Sequence, residues 1–427
     1  MFFRHAFLLA MTMTVAYAAD NGLARTPQLG WNTWCALNTC GYDVCYEAEI
    51  RAMADAMVAN GMRDLGYTMI NLDDCWGYPR DNVTGEYRWD PSRFPSGIPA
   101  LVQYLAARGF TLGVYTDSGI YTCSSGQRKF KIPGSFEHYA QDAATFVKWG
   151  VRYVKMDWCN TVAPNGTQLD PRNVYPTMSL GLNATGVPAQ LASCEWGVDN
   201  PWEWAMPWMN SWRIGADHHD TWTGGDKTGA SGTDAIIETL AGKAKYAGPG
   251  GWNDPDFVYT GGQGCPGQTA PGAHCPGQTD TEYITEFTIW AVTASPIIVA
   301  TNVQNMTDIM TKVLLNKEMI AVHQDRLGIA GDRIGYATDA GCPAMMCQLW
   351  GRPLSGYAYA AVMYNRDSVA HNITFDFRQA NITGTMSVRD LWEHKDVADG
   401  VSSYTALVEG HGVVAVRLYS CCEKSTK

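Results

Sequence analysis

The chain has 427 residues, of which 46% are hydrophobic and 17% charged, and its formal net charge is -11 at pH 7. This length suggests one large domain and one smaller domain. The acidic balance argues against nucleic acid or an anionic membrane as a partner. The 16 tryptophans and 21 tyrosines suit the binding of sugar rings, although many of them are expected in the core.

The N-terminus has the pattern of a signal peptide over residues 1–18. Arg4 and His5 precede an apolar run, and the Ala-Tyr-Ala sequence at 16–18 offers a small-residue cleavage site. The run is too short to cross a bilayer and no later stretch is long enough, so we expect no membrane span. We expect a secreted protein, with a lysosome or a vacuole as other destinations. Six N-glycosylation sequons fit this route, at Asn82, Asn165, Asn183, Asn305, Asn372 and Asn381.

The 13 cysteines of an exported chain indicate disulfides. No Cys-x-x-Cys pair has a matching set of partners, which argues against a zinc site. The odd count leaves at least one thiol unpaired or bonded between chains, and we expect this at Cys421 and Cys422. Two pairs are expected to bond locally: Cys265 with Cys275 in the Gly/Pro-rich loop 260–279, and Cys342 with Cys347.

Apolar runs that alternate with helical patterns predict an α/β fold, a parallel (β/α)₈ TIM barrel over residues 19–325. Polar clusters repeatedly follow the predicted strands, where barrel enzymes place their chemistry. A doubly wound sheet would not draw on so many strands, and no G-x-G-x-x-G follows strand one. The strand candidates lie at 29–31, 67–72, 111–115, 151–157, 190–193, 211–213, 250–254 and 297–300. Predicted helices lie at 47–65, 99–108, 136–149, 235–246 and 283–293.

From about Leu327 the pattern changes to short alternating segments with turn residues between them. Examples are 357–364, 372–377 and 412–418. This pattern predicts a C-terminal antiparallel β-sandwich domain over residues 326–427.

Two acidic residues at strand ends form the candidate catalytic pair. Glycoside hydrolysis with retention needs one carboxylate that attacks and one carboxyl that protonates the leaving oxygen. Asp157 is the candidate nucleophile, because Lys155 lies on the same strand face and would favour the ionised acid. Asp217, just past strand six, is the candidate acid/base, and Arg213 would bind a sugar hydroxyl or support a carboxylate. The alternative for Lys155 and Asp157 is a structural ion pair at a strand end.

Asp73 and Asp74, followed by Trp76, form a second constellation. Paired acids accept hydrogen bonds from vicinal hydroxyls, and an aromatic face covers the apolar side of a sugar ring. A metal site and a helix-capping acid are the alternatives. Asp254 and Asp256 could join a metal site, but no run of closely spaced oxygen ligands for Ca²⁺ occurs. We therefore expect no metal and no other cofactor.

The run 218–220, His-His-Asp, also invites a metal interpretation. Adjacent histidines point in different directions and lack the spacing of a zinc motif, so we interpret this run as a loop.

Eight short motifs follow one another along most of the chain: 27–34 (PQLGWNTW), 71–76 (NLDDCW), 94–97 (FPSG), 113–119 (GVYTDSG), 153–157 (YVKMD), 194–197 (CEWG), 212–217 (WRIGAD) and 250–256 (GGWNDPD). In this order they resemble glycoside hydrolase family 27, the α-galactosidase and α-N-acetylgalactosaminidase family of clan D. The resemblance implies a barrel followed by a β-sandwich, and a cofactor-free double displacement with Asp157 as nucleophile and Asp217 as acid/base. It also implies a galactose pocket lined by Trp31, Asp73, Asp74, Tyr115, Lys155, Glu195, Trp196 and Arg213.

The resemblance further implies a Cys123–Cys159 disulfide beside the nucleophile. The first loop departs from the family pattern because it carries Cys35, Cys40 and Cys45. Which of these bonds Cys75 is left open, and Cys40 is taken as the working assignment. Two other departures, Phe257 in place of the family's usual Met and the long loop 260–279, concern pocket shape and aglycone preference.

The resemblance and Glu195 together favour a retaining exo-α-galactosidase with an α-galactoside as substrate. A carboxylate near C2 of the sugar accepts a hydrogen bond from a 2-hydroxyl but would crowd an N-acetyl group. The alternatives are an α-N-acetylgalactosaminidase, a β-L-arabinopyranosidase and an isomaltodextran-acting relative. From another class, a non-catalytic galactose-binding protein is the remote alternative. We expect a monomer or a homodimer.

Overall fold

The computed structural model describes residues 21–35, 41, 45–224, 229–261, 277–339 and 341–420. The predicted signal peptide and the predictions for Cys40, Cys265, Cys275, Cys421 and Cys422 lie outside the described residues. Within the described ranges, no helix is both long and apolar enough to span a bilayer.

Eight parallel strands form the predicted barrel. They are β1 (Leu29–Asn32), β2 (Met69–Leu72), β3 (Thr111–Asp117), β4 (Tyr153–Asp157), β5 (Gln190–Cys194), β6 (Ser211–Arg213), β7 (Trp252–Asp254) and β8 (Ile297–Val299). The sheet order runs from β8 to β1 and then in sequence to β7. Val258, just beyond β7, donates its N–H to the Ile298 carbonyl at 3.0 Å and so joins the two ends of the sheet. The carboxyl ends of the strands therefore surround one opening, called the mouth below.

In the described ranges, eight helices surround the strands: α1 (Glu47–Ala59), α2 (Ile98–Ala106), α3 (Tyr139–Trp149), α4 (Pro171–Ala184), α5 (Thr233–Leu240), α6 (Asp280–Val292), α7 (Asp308–Leu314) and α8 (Lys317–His323). Residues 195–210, all described, connect β5 to β6 with only a 3₁₀ turn, Pro201–Glu203. A two-residue hairpin, Gly77–Tyr78 with Arg88–Trp89, extends the loop after β2.

The sequence predicted all eight strand positions, whereas the helices differ in detail. The predicted helix 47–65 ends early at Ala59, and a separate 3₁₀ turn covers Arg63–Leu65. Helix α4 was not predicted, and it carries Pro176 in its interior. Its start is nevertheless regular, because Pro171 occupies the first turn and Asp170 accepts a hydrogen bond from the Arg172 N–H.

The C-terminal domain is the predicted antiparallel β-sandwich. Its strands are β9 (Asp332–Tyr336), β10 (Cys347–Leu354), β11 (Ala358–Asn365), β12 (His371–Asp376), β13 (Met386–Asp390), β14 (Lys395–Val401), β15 (Ser403–Val408) and β16 (Val413–Tyr419). One sheet has the order β9-β10-β11-β16-β13-β14, and β12 pairs with β15. Ile373 and Phe375 of this pair share a core with Leu349 and Met363 of the larger sheet. The opposite face contributes Trp350 and Val362 to the core of the barrel.

The disulfides correct one prediction. The Cys123–Cys159 and Cys342–Cys347 bonds are confirmed. Cys75 bonds to Cys45, with a Cα–Cα distance of 5.9 Å, so the assignment of Cys40 as its partner is wrong. Cys45 lies two residues before α1 and Cys75 lies three residues after β2. The bond therefore joins the start of α1 to the loop after β2.

The described cysteines also include one free thiol. This is Cys194 at the end of β5, and it is buried. The asparagines of all six sequons are exposed, which keeps every one of them accessible to glycosylation.

Candidate active site

The residues predicted from β2 and β4 meet at the mouth. Lys155 Nζ lies 2.9 Å from Asp73 Oδ2, and the same oxygen accepts a hydrogen bond from Asn32 Nδ2 at 2.8 Å. Asp73 Oδ1 accepts the Asp74 N–H at 2.9 Å. Asp73 is buried, so this carboxylate depends on the lysine and the asparagine for compensation of its charge.

Lys155 differs from the expectation in its direct partner. The predicted neighbour was Asp157 on the same strand, whereas the ion pair forms with Asp73 across the intervening strand β3. Burial lowers the pKa of Lys155, but the charges of the nearby carboxylates, Asp73 first and then Asp157, outweigh burial and hold the pKa above its ordinary value. The ammonium therefore remains charged and favours ionised acids on both sides.

Asp157 ends β4 and is buried, with 7% of its surface exposed. Its Oδ2 accepts a hydrogen bond from the Tyr115 hydroxyl at 3.0 Å, and its Oδ1 accepts the Trp158 N–H at 2.9 Å. Burial raises the pKa of Asp157, Lys155 opposes the rise, and the charge of Asp217 adds to it. Asp157 and Asp217 therefore influence one another electrostatically, as two carboxyls of one site do.

Asp217 lies at the rim, and 54% of its side chain is exposed. Arg213 Nη2 donates to Asp217 Oδ1 at 3.0 Å and lies 3.1 Å from Asp256 Oδ2. Arg213 itself is buried, and its Nη1 lies 3.2 Å from Cys194 Sγ. Of its two predicted roles, Arg213 thus performs the support of carboxylates.

Glu195 follows β5 and is fully buried. Neither of its carboxyl oxygens has a hydrogen-bond partner among the described residues. Burial raises the pKa of Glu195 to about 8, so the carboxyl group is protonated and neutral at mildly acidic pH. A buried carboxyl with unused hydrogen-bonding capacity is prepared for a polar ligand atom. Trp196 beside it is half-buried and has a left-handed backbone, with φ of 55°.

Asp74 is buried like Asp73. Its Oδ2 accepts the Ser124 N–H at 2.8 Å, and burial raises its pKa. Ser124 follows the disulfide-bonded Cys123, so the Cys123–Cys159 bond and Asp74 together fix the turn after β3.

Two predicted tryptophans are buried and pack in the core cluster of the barrel. Trp31 is fully buried, and its Nε1 donates to the Thr301 carbonyl at 2.8 Å. Trp76, also buried, stacks on Tyr87 with ring centroids 5.1 Å apart. Burial alone does not separate these rings from Asp73 and Glu195, so their contact with sugar stays a prediction. Trp34, two residues beyond β1, is half-buried and was missed, although its place past a strand end could have identified it.

Three further residues of the site were not among the predicted catalytic or sugar-binding residues. Asp117 ends β3, and its carboxylate accepts the N–H groups of Gly119 and Cys159 at 2.7 and 3.0 Å. Asp256 anchors Arg213, and Phe257 places its ring 4.6 Å from Lys155 Nζ. Asp117 and Asp256 lie inside two of the quoted motifs, and Phe257 directly follows the second of these, which was the available signal.

The metal interpretations find little support in the described residues. The one grouping with metal-like geometry there comprises Asp117, Cys123 and Cys159, and its two sulfurs are joined in a disulfide. His218 is buried between the Phe257 carbonyl and the Thr233 hydroxyl, each 2.8 Å from a ring nitrogen. Burial lowers the pKa of His218 to about 3, so this neutral ring is a structural part of its loop.

Comparison with known proteins agrees with this arrangement. The family profile described as "Alpha galactosidase A" matches residues 26–325, and that of the "Alpha galactosidase C-terminal beta sandwich domain" matches residues 346–418. The chain belongs to the α-galactosidase family, glycoside hydrolase family 27. Alpha-galactosidase 3 of Arabidopsis thaliana is 40% identical over 399 residues, which are 92% of this chain and 81% of that protein.

Solved structures of the family match equally widely. α-Galactosidase I from Mortierella vinacea has a TM-score of 0.82 at 30% identity and covers 94% of this chain and 98% of its own. The α-galactosidase from Saccharomyces cerevisiae, solved with raffinose, has a TM-score of 0.79 at 26% identity and covers 94% and 99%. Barrel and sandwich together are thus a family 27 unit, and a carbohydrate is the substrate class.

Proposed function

We propose that this family 27 protein is a retaining exo-α-galactosidase that removes terminal α-D-galactosyl residues, with Asp157 as nucleophile and Asp217 as acid/base. The observation that carries the proposal is the contrast between the two acids. Asp157 is buried at the end of β4 and accepts hydrogen bonds there. Asp217 lies beyond β6, is half-exposed and accepts a hydrogen bond from Arg213. A nucleophile must be fixed beneath the sugar, and an acid/base must reach both the leaving group and water.

In the first step, an Asp157 carboxylate oxygen attacks the anomeric carbon. The bond from that carbon to the leaving oxygen breaks, and the leaving oxygen takes the proton of Asp217. The products are a β-galactosyl ester on Asp157 and the free aglycone alcohol. Tyr115 and the Trp158 N–H orient the attacking carboxylate.

In the second step, the Asp217 carboxylate removes a proton from water while the water oxygen attacks the anomeric carbon. The ester bond to Asp157 breaks, which regenerates the carboxylate and gives α-galactose. Two inversions retain the configuration. Arg213 steadies Asp217 when it is charged and leaves most of the carboxyl exposed to solvent.

The sugar itself is held by groups that already form a charged network. Lys155 and Asp73 present an ammonium and a carboxylate at the mouth, and both can exchange part of their mutual hydrogen bonding for sugar hydroxyls. Glu195 supports α-galactosides over N-acetylgalactosaminides, because its carboxyl fits a 2-hydroxyl and would crowd an N-acetyl group. The resemblance to the family implies that this residue lies beside C2 of the sugar.

We propose further that the protein is secreted or delivered to a vacuole. The predicted signal peptide, the disulfides and the exposed sequon asparagines support an exported protein. Raffinose, the ligand of the Saccharomyces cerevisiae relative, is a suitable first substrate to test.

The test is hydrolysis of p-nitrophenyl α-D-galactoside, with the first-formed anomer of galactose followed by NMR and p-nitrophenyl α-N-acetylgalactosaminide in parallel. We expect rapid turnover, α-galactose as the first product and little activity on the N-acetyl substrate. The β-anomer as first product would overturn the retaining mechanism. An absence of turnover with galactose binding intact would instead indicate a binding protein.

A further inference from the structure

The loop that carries Asp217 is attached to the C-terminal sandwich at its far end. Trp222, five residues after Asp217, is buried and stacks on His411 of the sandwich, with ring centroids 4.9 Å apart and an interplanar angle of 19°. His411 is held in turn by α6, since its Nδ1 lies 2.7 Å from Glu282 Oε1 and its carbonyl accepts the Thr285 hydroxyl at 2.7 Å. The indole therefore rests on a sandwich residue that is itself immobilised.

The near end of the same loop depends on the segment 229–234. Ser231 donates its N–H to the Asp217 carbonyl at 2.7 Å, and its own carbonyl accepts the His219 N–H at 2.9 Å. Further along, Thr233 and Asp234 donate their N–H groups to the Thr221 and Trp222 carbonyls at 2.9 and 3.1 Å. The backbone of Asp217 is thus fixed by a neighbouring segment and not by the barrel strands alone.

That neighbouring segment is attached to the sandwich as well. Asp234, at the start of α5, forms a bidentate pair with Arg366, with distances of 2.5 Å from Nε to Oδ1 and 2.8 Å from Nη2 to Oδ2. The Tyr364 hydroxyl donates to the same carboxylate at 3.2 Å. Bidentate arginine pairs fix both distance and orientation. Both segments that hold Asp217 therefore end on the sandwich.

We propose that Arg366 and His411 of the sandwich are positioning residues for the acid/base carboxyl, acting through Asp234 and Trp222. The proposal rests on the proposed role of Asp217. Proton transfer requires the carboxyl within hydrogen-bond reach of the leaving oxygen, and errors of about 1 Å cost roughly 100-fold in rate. The Asp217 side chain is half-exposed, so its position depends mainly on its backbone and on Arg213.

The leaving group separates this role from a merely structural one. A sugar leaves as an alkoxide unless it is protonated, whereas 2,4-dinitrophenolate leaves without help from an acid. Displacement of Asp217 should therefore slow glycosylation by raffinose and spare glycosylation by 2,4-dinitrophenyl α-galactoside. A general loss of folded enzyme would reduce both activities by the same factor.

The chain offers a matched control for Arg366. Arg389 forms another bidentate pair between sandwich and barrel, with Glu318 of α8, at 2.7 and 2.8 Å. Its side chain is 31% exposed and that of Arg366 is 27% exposed, so the two contacts are alike in geometry and exposure. In contrast to Asp234, Glu318 has no hydrogen bond to the loop of Asp217 among those described.

The experiment compares kcat/KM on raffinose and on 2,4-dinitrophenyl α-galactoside for wild type, Asp217→Ala, Arg366→Ala, His411→Ala and Arg389→Ala. We expect Arg366→Ala and His411→Ala to lose about 10- to 100-fold on raffinose and less than about threefold on the activated substrate, a fraction of the full effect of an acid/base. Arg389→Ala should change both values equally or not at all. Arg366→Lys and Trp222→Phe are the milder variants if an alanine variant does not fold. They should also lose more activity on raffinose than on the activated substrate, a difference called the split below, but the loss should be smaller.

Each outcome is decisive. Equal losses on both substrates in the Arg366 and His411 variants, or losses equal to those of Arg389→Ala, would overturn the positioning role. If Asp217→Ala shows the split and the sandwich variants do not, this inference fails and the acid/base assignment stands. If Asp217→Ala itself shows no split, the proposed function fails at that residue.

Discussion

Lys155 of β4 pairs with Asp73 beyond β2, with Nζ 2.9 Å from Oδ2, while its charge also acts on Asp157 two residues further along its own strand. One buried ammonium thus compensates two carboxylates, one that would bind sugar and one that would attack it. The pair is mostly buried, with 14% and 3% of the two side chains exposed. Loss of the lysine would leave both acids uncompensated.

Lys155→Met should therefore destabilise the protein as well as inactivate it. Removal of one partner of a buried ion pair costs about 3–5 kcal/mol, because the remaining charge stays buried. Urea unfolding followed by tryptophan fluorescence measures this loss. The double variant Lys155→Met/Asp73→Asn should recover much of the stability and none of the activity. Equal stability of the single variant and wild type would show that water already compensates Asp73.

Tyr115→Phe should shift the acidic limb of the pH profile. The Tyr115 hydroxyl is one of the groups that stabilise ionised Asp157, against the burial that raises the pKa of this acid. Its loss raises that pKa further, and the nucleophile must be ionised to attack. The acidic limb of kcat/KM should move to higher pH by about one unit. An unmoved limb would mean that Asp157 is not the group that titrates there.

Glu286→Gln should change how stability depends on pH. Glu286 of α6 is fully buried and accepts the N–H groups of Tyr259 and Thr260, each at 3.2 Å. Burial, with a further contribution from Asp220, raises its pKa to about 8. The unfolded chain loses this proton near pH 4.3, so the contribution to stability is complete below that pH and is lost as the pH rises to about 8.

Glutamine is neutral at every pH, although its NH2 group cannot accept one of the two N–H groups. The Tm of Glu286→Gln relative to that of wild type should therefore rise from pH 5 to pH 8 in thermal unfolding. Glu318→Gln is the opposite control. Burial raises the pKa of Glu318, but Arg389 and His394 outweigh burial and hold the pKa below its ordinary value. A difference in Tm between Glu286→Gln and wild type that does not vary with pH would contradict a buried, protonated Glu286.

Peptide mapping should find Cys75 joined to Cys45 and Cys194 as a thiol. Cys194 is buried against Arg213, and burial raises its pKa, so native protein should resist alkylation there. Labelling before and after denaturation with two isotopic forms of iodoacetamide measures this. Recovery of a Cys40–Cys75 peptide, or early labelling of Cys194, would contradict the structure.

The sequence was sufficient for the barrel because strand periodicity and polar strand ends point to the same architecture. Asp157 and Asp217 could be predicted as a pair because one ends β4 and the other lies just past β6, and the carboxyl ends of parallel strands must meet at one mouth. The sandwich was recognisable from alternation alone.

The features that the sequence could not predict are contacts between residues far apart in the chain. The partner of Lys155 directly follows β2, and no local pattern distinguishes Asp73 from Asp157 as its contact. Trp31 and Trp34 lie three residues apart, and only the observed end of β1 at Asn32 places the first in the core and the second beyond the strand.

Two other differences have a similar origin. The choice between Cys40 and Cys45 depends on the path of a loop. The interior Pro176 concealed α4, because tertiary packing maintains a helix that local propensity disfavours.

The central claim is that Asp157 forms a covalent galactosyl intermediate. The most direct measurement is inactivation by 5-fluoro-α-D-galactosyl fluoride, which slows release of the ester, followed by mass spectrometry of the proteolysed enzyme. The account predicts a 5-fluorogalactosyl group on the peptide that contains Asp157, and no label on Asp157→Asn. A label on any other residue, or turnover without an accumulated ester and with the β-anomer as product, would contradict it.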